Sequence, residues 1–336
     1  MESERKHINV LKGTLIILVV IGHFGQTLTS VFPENIAYIQ RGFMLFIYSF
    51  HMPLFMFVSG YLSTNLVKRR ERAFKELLIP YILFQLVVGF CVLALTRSPS
   101  VFYNIFLPQM GAWYLMALFI FRTLMPDLTR IRCILILAVL LSIFACAFKD
   151  IGKEFAMNRV IGFFVYFCLG FYAKKVLIFN ELNFKLNIWL SRIILVFALG
   201  AFIIILKKYD VYSDGISVLT RSMPERFGLL KGIIVNSASI IVAVFLGFVF
   251  INAIPKENKL LEYLGEDTMP LYLSHLLLYM AFAYLKDLFR CEMTVAIAII
   301  MIAFSIVIFS SKPYRKAFNA MIQFVCKLIF MEEKTI

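Results

Sequence analysis

Three histidines, a lysine and an arginine stand where a strongly apolar chain tolerates them least. His23, His51 and His275 lie inside apolar runs, Lys12 opens the first of these runs, and Arg159 opens another. An ionisable side chain within a hydrocarbon layer is costly and is by default a candidate for function. Lys12 and His23 are eleven residues apart, almost three whole helical turns. Both therefore lie on one helix face, roughly 16 Å apart along the axis. Imidazole is the side chain best suited to take a proton near neutral pH. A cation at the mouth with a base deeper on the same face suits an extended substrate such as acyl-CoA, phosphates outside and thioester delivered inside. The same spacing also fits a snorkelling lysine at the membrane edge and a histidine hydrogen-bonded for helix packing.

His51 follows Ser49-Phe50 and precedes Met52-Pro53 in the second run. It lies roughly 20 Å by helix rise from the outer end, near the depth of His23. Pro53 removes a backbone donor at that level, a common way of shaping a cavity. His51 is therefore the second candidate catalytic residue. His275, about two turns from the inner end of its run, together with Arg159 and Trp113 at the outer ends of theirs, are candidates for substrate binding; Lys12 is the candidate for the donor. For Trp113 the ordinary alternative is an aromatic belt at the membrane surface. No Asp or Glu falls in the middle of any run, which demotes a proton- or sodium-coupled transporter.

The elements that must position these residues are membrane helices. The 336-residue chain is 61% hydrophobic and 16% charged, with a mean hydropathy of +0.86. Apolar runs of membrane-spanning length recur throughout. The expected fold is all-α, a polytopic helical bundle of about ten spans: 10–30, 38–63, 74–95, 112–126, 132–148, 158–176, 188–206, 229–254, 269–285 and 293–311. Residues 1–311 make one transmembrane domain. Residues 312–336 form a cytoplasmic tail whose mixture of basic and apolar residues suits an interfacial amphipathic helix. The connector 207–228, with Pro224, is expected to be an external loop. Arg5 and Lys6 precede the first run without a small-residue cleavage site, so that run reads as a span rather than a signal peptide.

The net charge of +14 comes from lysines and arginines in short connectors, which orient a membrane protein and exclude a nucleic-acid partner. Most of the 34 basic residues fall on one side when both termini are cytoplasmic. The six cysteines lack a CxxC pair and mostly sit within apolar runs, so they read as buried free thiols. No metal site or tightly bound cofactor is expected.

Longer stretches around these residues resemble a known family. Lys12-Gly13 through Gly22-His23 is similar to the first-helix signature of the membrane acyltransferase 3 family. Ser49-Phe50-His51-Met52-Pro53-Leu54-Phe55 through Ser59-Gly60-Tyr61-Leu62 resembles its second-helix motif. Ala112-Trp113-Tyr114-Leu115, Arg159 with Phe163-Phe164 and Gly170, and Gly265 through Thr268 to His275 follow in family order. Within the family the chain looks most like the fucose 4-O-acetylase-like branch. It departs at Lys12, where many members carry Arg, and at Asn9, where many carry Asp.

The resemblance implies an O-acyltransferase, above all an O-acetyltransferase, in a bacterial plasma membrane. Acyl-CoA would be the co-substrate, and the acceptor a hydroxyl of a cell-surface, secreted or lipid-linked glycan. The rival reading is a glycan or lipid flippase that uses the same cavity without chemistry. Whichever holds, a reporter fused after Arg70 is expected in the cytoplasm and one inserted near Ser217 outside. Both reporters scoring the same compartment would show an odd-numbered error in the spans between them.

Overall fold

The structure, a computed structural model, describes residues 2–97, 105–145, 154–175, 186–209, 211–219, 228–288 and 291–330. All its regular elements are helical. In a bilayer a helix satisfies its own backbone groups, so long apolar segments have few alternatives. In chain order they are α1 (Glu2–Leu28), α2 (Glu34–Tyr61), α3 (Leu66–Ala73), a π-turn (Phe74–Leu78), α4 (Ile79–Thr96), α5 (Trp113–Leu128), α6 (Ile134–Phe144) and α7 (Met157–Lys175). Then follow α8 (Ile188–Lys208), α9 (Tyr212–Leu219), α10 (Leu229–Ala253), α11 (Lys259–Glu266), α12 (Met269–Leu285), α13 (Cys291–Phe309) and α14 (Lys312–Ile329).

Among the described residues, seven segments are long and apolar enough to cross a membrane: α1, α2, α3–α4, α7, α8, α10 and α13. The bent pair α11–α12 makes an eighth. The expected count of ten is therefore approximate. Two expected spans, 112–126 and 132–148, correspond to α5 and α6, of 16 and 11 residues. Eleven residues rise only ~16 Å, short of a ~30 Å hydrocarbon core; the expected stretch 146–148 lies outside the described residues. The connector after α8 holds the short helix α9, and Pro224 also lies outside the described residues.

The core gathers around α1, α2, α5 and α7, which carry most of the fully buried large side chains, among them Phe24, Phe50, Phe163 and Phe167. At the periphery, α8 turns Val196, Phe197 and Ile204 outward, as a lipid-facing helix does. Two glycine pairs let central helices touch backbone to backbone. A Cβ on Gly13 would collide with the Leu261 carbonyl, and one on Gly265 with the carbonyl of Asn9; Gly60 and Gly170 meet the carbonyls of Phe167 and Phe57 in the same way. Such contacts replace the hydrophobic drive that lipid cannot supply.

Proline shapes two of the helices around the future site. Pro80 cannot donate to a residue one turn back, and the helix before it widens into the π-turn 74–78. Pro270, in the first turn of α12, likewise prevents α11 from continuing. The chain bends by 83° between α11 and α12. By contrast α2 runs unbroken through Pro53.

The cysteines diverge from the buried expectation. Cys168 is buried, but Cys133 is exposed at the head of α6, and Cys91 and Cys326 are half-buried; Cys146 lies outside the described residues.

If the Gly13–Gly265 contact holds α11 against α1, Gly265→Val should lower the apparent melting temperature in detergent by several degrees. The control Gly200→Val, with open space around its Cβ, should leave it unchanged.

Candidate active site

His23 lies about one and a half turns before the end of α1, in contact with α12. Its Nδ1 is 3.0 Å from the Val19 carbonyl and 3.1 Å from Nε2 of His275. Nδ1 of His275 is in turn 2.9 Å from the Leu271 carbonyl, and Nδ1 of His51 is 2.7 Å from that of Ile47. Each histidine thus uses Nδ1 on the carbonyl one turn back in its own helix. His275 and His51 are buried, whereas His23 keeps part of its surface accessible. Tyr279 lies against the His23 ring at 5.5 Å between centroids, and Tyr48 against His51 at 5.0 Å. The Tyr48 hydroxyl donates to Gln26 Oε1 at 2.8 Å, tying α2 to α1 at this level.

Arg159, from the first turn of α7, holds its guanidinium over the Trp113 ring at 5.2 Å. It makes no ion pair among the described residues. Trp113 is buried and packs on Phe163 at 4.9 Å, so it is not a lipid-facing belt residue. Its position is set by the preceding loop. Buried Gln85 donates to the Leu107 carbonyl at 2.9 Å and accepts from the Gln109 amide at 3.0 Å, and Tyr272 donates to the Gly111 carbonyl at 2.6 Å.

Toward the N-terminal end of α1 a half-open cavity of about 800 Å³ penetrates the bundle. That size suits a cofactor-sized ligand. Lys12, Arg69, Lys75, Arg122 and Lys327 line it, against the carboxylates of Glu76, Glu266 and Asp267. Arg122 donates to Glu76 at 2.8 Å, and Arg69 approaches the same carboxylate at 3.6 Å. Asn319 of α14 donates to Asp267 at 2.8 Å. Lys12 enters none of the ion pairs found among the described residues. The deep wall consists of Tyr114, hydrogen-bonded to Ser59 at 2.6 Å, and Tyr272, their rings 5.5 Å apart. One ring further in, Tyr272 touches His275 at 6.1 Å between centroids. Cavity and histidines thus lie at two levels along α1, with Tyr272 between them.

Of the six expected site residues, Lys12 lines the cavity, while His23, His275, Arg159 and Trp113 gather beyond its deep wall. His51 lies nearby on α2, but the direct histidine partner of His23 is His275. His275, expected about two turns from the inner end of its run, stands in the second turn of α12 at hydrogen-bond distance from His23. The spacing of the histidines left unseen the cavity cations Arg69, Lys75 and Lys327 and the pair Tyr114–Tyr272. The charge runs 68–75 and 312–327 were the available signal for the first set.

A histidine pair and a cation without an ion pair among the described residues thus lie inside a helical bundle, beyond a cavity lined by basic side chains. Residues 5–310 match the family model described as an acyltransferase domain, and the chain belongs to that acyltransferase 3 family. It is a multi-pass membrane acyltransferase transferring groups other than aminoacyl groups. Among curated proteins, it is 27% identical over 286 residues to the nodulation protein NolL of Mesorhizobium japonicum, covering 78% of this chain and 73% of that one. It is 36% identical to NolL of Sinorhizobium fredii over 101 residues, 28% of this chain and 25% of that one. No solved structure matches significantly.

Cys326 lines the cavity and Cys168 is buried. In variants retaining one of these thiols, a hydrophilic maleimide should label Cys326 in the folded protein and Cys168 only after denaturation.

Proposed function

We propose that the protein is an O-acetyltransferase of the fucose 4-O-acetylase-like branch, moving an acetyl group from acetyl-CoA to a glycan hydroxyl. One observation carries this reading: a cavity rich in cations opens on the same face of α1 that carries a partly accessible histidine ~16 Å deeper. The phosphates of CoA would meet Lys12 and the neighbouring Arg69, Lys75 and Lys327 as charge-assisted partners. The extended pantetheine arm would run along the wall of Tyr114 and Tyr272 and point its thioester toward the level of His23.

In the reaction, the acceptor hydroxyl attacks the thioester carbonyl while its proton moves to Nε2 of His23. Arg159, which makes no ion pair among the described residues, would stabilise the developing oxyanion. Collapse breaks the carbon–sulfur bond, and the proton returns from His23 to the departing thiolate. No Ser, Thr or Cys side chain among the described residues is hydrogen-bonded to His23, which supports direct transfer rather than an acyl-enzyme. Trp113 and Arg159 offer a stacking face and a donor to the acceptor sugar, and His51 a second acceptor nitrogen.

Orientation follows from the same reading. The cavity mouth faces the cytoplasm, where acyl-CoA resides, both termini are cytoplasmic, and the membrane is a bacterial plasma membrane. The helix α14 closes one side of the cavity with Phe318, Ile322 and Cys326. It leaves Met321, Phe324 and Leu328 exposed along another face and Lys316 and Lys327 along a third. This three-sided division suits a helix lying at the membrane surface.

The kinetic expectations separate binding from chemistry. His23→Ala should lower kcat by about 10²-fold or more with little change in KM for acetyl-CoA. Lys12→Ala should raise that KM more than it lowers kcat, because it removes binding common to ground and transition states. Lys12→Arg should retain both. An unchanged KM in Lys12→Ala would reduce Lys12 to a membrane-edge anchor.

A further inference from the structure

The hydrogen bonds of His275 assign it a role that proximity alone does not. A neutral imidazole has one N–H and one lone pair in the ring plane. Nδ1 of His275 stands 2.9 Å from the Leu271 carbonyl, which can only accept, so the proton of His275 sits on Nδ1. Its Nε2 is then an acceptor, and it faces Nδ1 of His23 at 3.1 Å. The other neighbour of that Nδ1, the Val19 carbonyl at 3.0 Å, is also only an acceptor. With acceptors alone around it, Nδ1 of His23 carries the proton, and Nε2 is left with its lone pair.

The opposite assignment fails at two atoms. If His275 donated from Nε2, its bare Nδ1 would face the Leu271 carbonyl and the bare Nδ1 of His23 would face that of Val19, two lone-pair contacts at about hydrogen-bond distance. Burial orders the pair. His275 is fully enclosed, while His23 keeps accessible surface. The outer ring meets the reactant, and the inner ring stands behind it.

We propose that His275 is the positioning residue of His23, acting as a neutral acceptor that fixes the base in its Nδ1–H tautomer and receives that N–H when the ring becomes imidazolium. This rests on the acyl-transfer reading. A carboxylate in the same place would hold an imidazolium more strongly, but burying it in an apolar bundle would cost far more than burying a neutral ring. His275 sits one turn above Tyr272, which lines the deep wall of the donor cavity and whose hydroxyl is anchored on Gly111. The path for the thioester and the acceptor behind the base are therefore built by one helix face.

The test uses the full chain in lipid nanodiscs with acetyl-CoA, reading release of the CoA thiol. His275→Leu fills the space without an acceptor and should lower kcat about tenfold to a hundredfold, leaving KM for acetyl-CoA within about twofold. His275→Gln presents an amide oxygen near the former Nε2 and should recover most of the lost rate. Equal impairment of the two variants, or a normal rate in His275→Leu, would overturn the proposal. An independent readout is available because the chain has four histidines. In 15N-histidine-labelled wild type, His23, assigned through His23→Gln, should show a protonated Nδ1 and an unprotonated Nε2; the reverse pattern also overturns it. Wild type that releases no thiol with any glycan acceptor sinks the acyl-transfer reading instead, and the spectrum still decides the hydrogen-bond assignment.

Discussion

The backbones of α1 and α11 meet at Gly13 and Gly265, closer than any side chain would allow, and the geometry of the site hangs from that crossing. Helices separated by ordinary side chains lie about 8–10 Å apart. Here the missing Cβ atoms let α11 settle on α1, after which Pro270 enforces the turn into α12. The bend delivers Asp267 and Tyr272 to the cavity and His275 to His23. Lys12 is the immediate neighbour of Gly13, so the contact that sets the depth of α12 also fixes the cation at the mouth.

Around that crossing, the apolar surroundings force polar groups to find partners within the protein. The three buried-level histidines spend Nδ1 on their own helices, Gln85 is consumed by the loop that carries Trp113, and Arg122 is held by Glu76. Against so much pairing, the exceptions stand out. Lys12 and Arg159 have no carboxylate partner among the described residues, and His23 retains an exposed edge. A membrane protein keeps such groups at a cost in stability, and on the proposed reading they mark the donor and acceptor ends of the site.

Much of this was legible in the residues. Helical periodicity alone put Lys12 and His23 on one face, because α1 runs unbroken from Glu2 to Leu28. The glycines of the motifs, Gly13, Gly60, Gly170 and Gly265, proved to be close-contact positions. Trp113 was harder. Trp at the head of an apolar run usually marks the membrane surface, and only the loop pinned by Gln85 shows why this one turns inward. The seventh-decade cations, from Arg69 to Lys75, read as topology signals; they serve the cavity as well because the π-turn before Pro80 swings Lys75 and Glu76 toward it.

The sequence by itself determined the solvent in which this chain folds, its helical class, and the depth of each polar group along its own helix, since hydropathy and a fixed rise per residue are properties of a single segment. Which groups meet was decided by tertiary structure. His23 and His51 share a depth on sequential helices, yet the hydrogen bond goes to His275, 252 residues away from His23. That choice depends on the rotation of each helix about its axis and on the bend before α12, and both are fixed by packing between segments rather than by the order of residues within one.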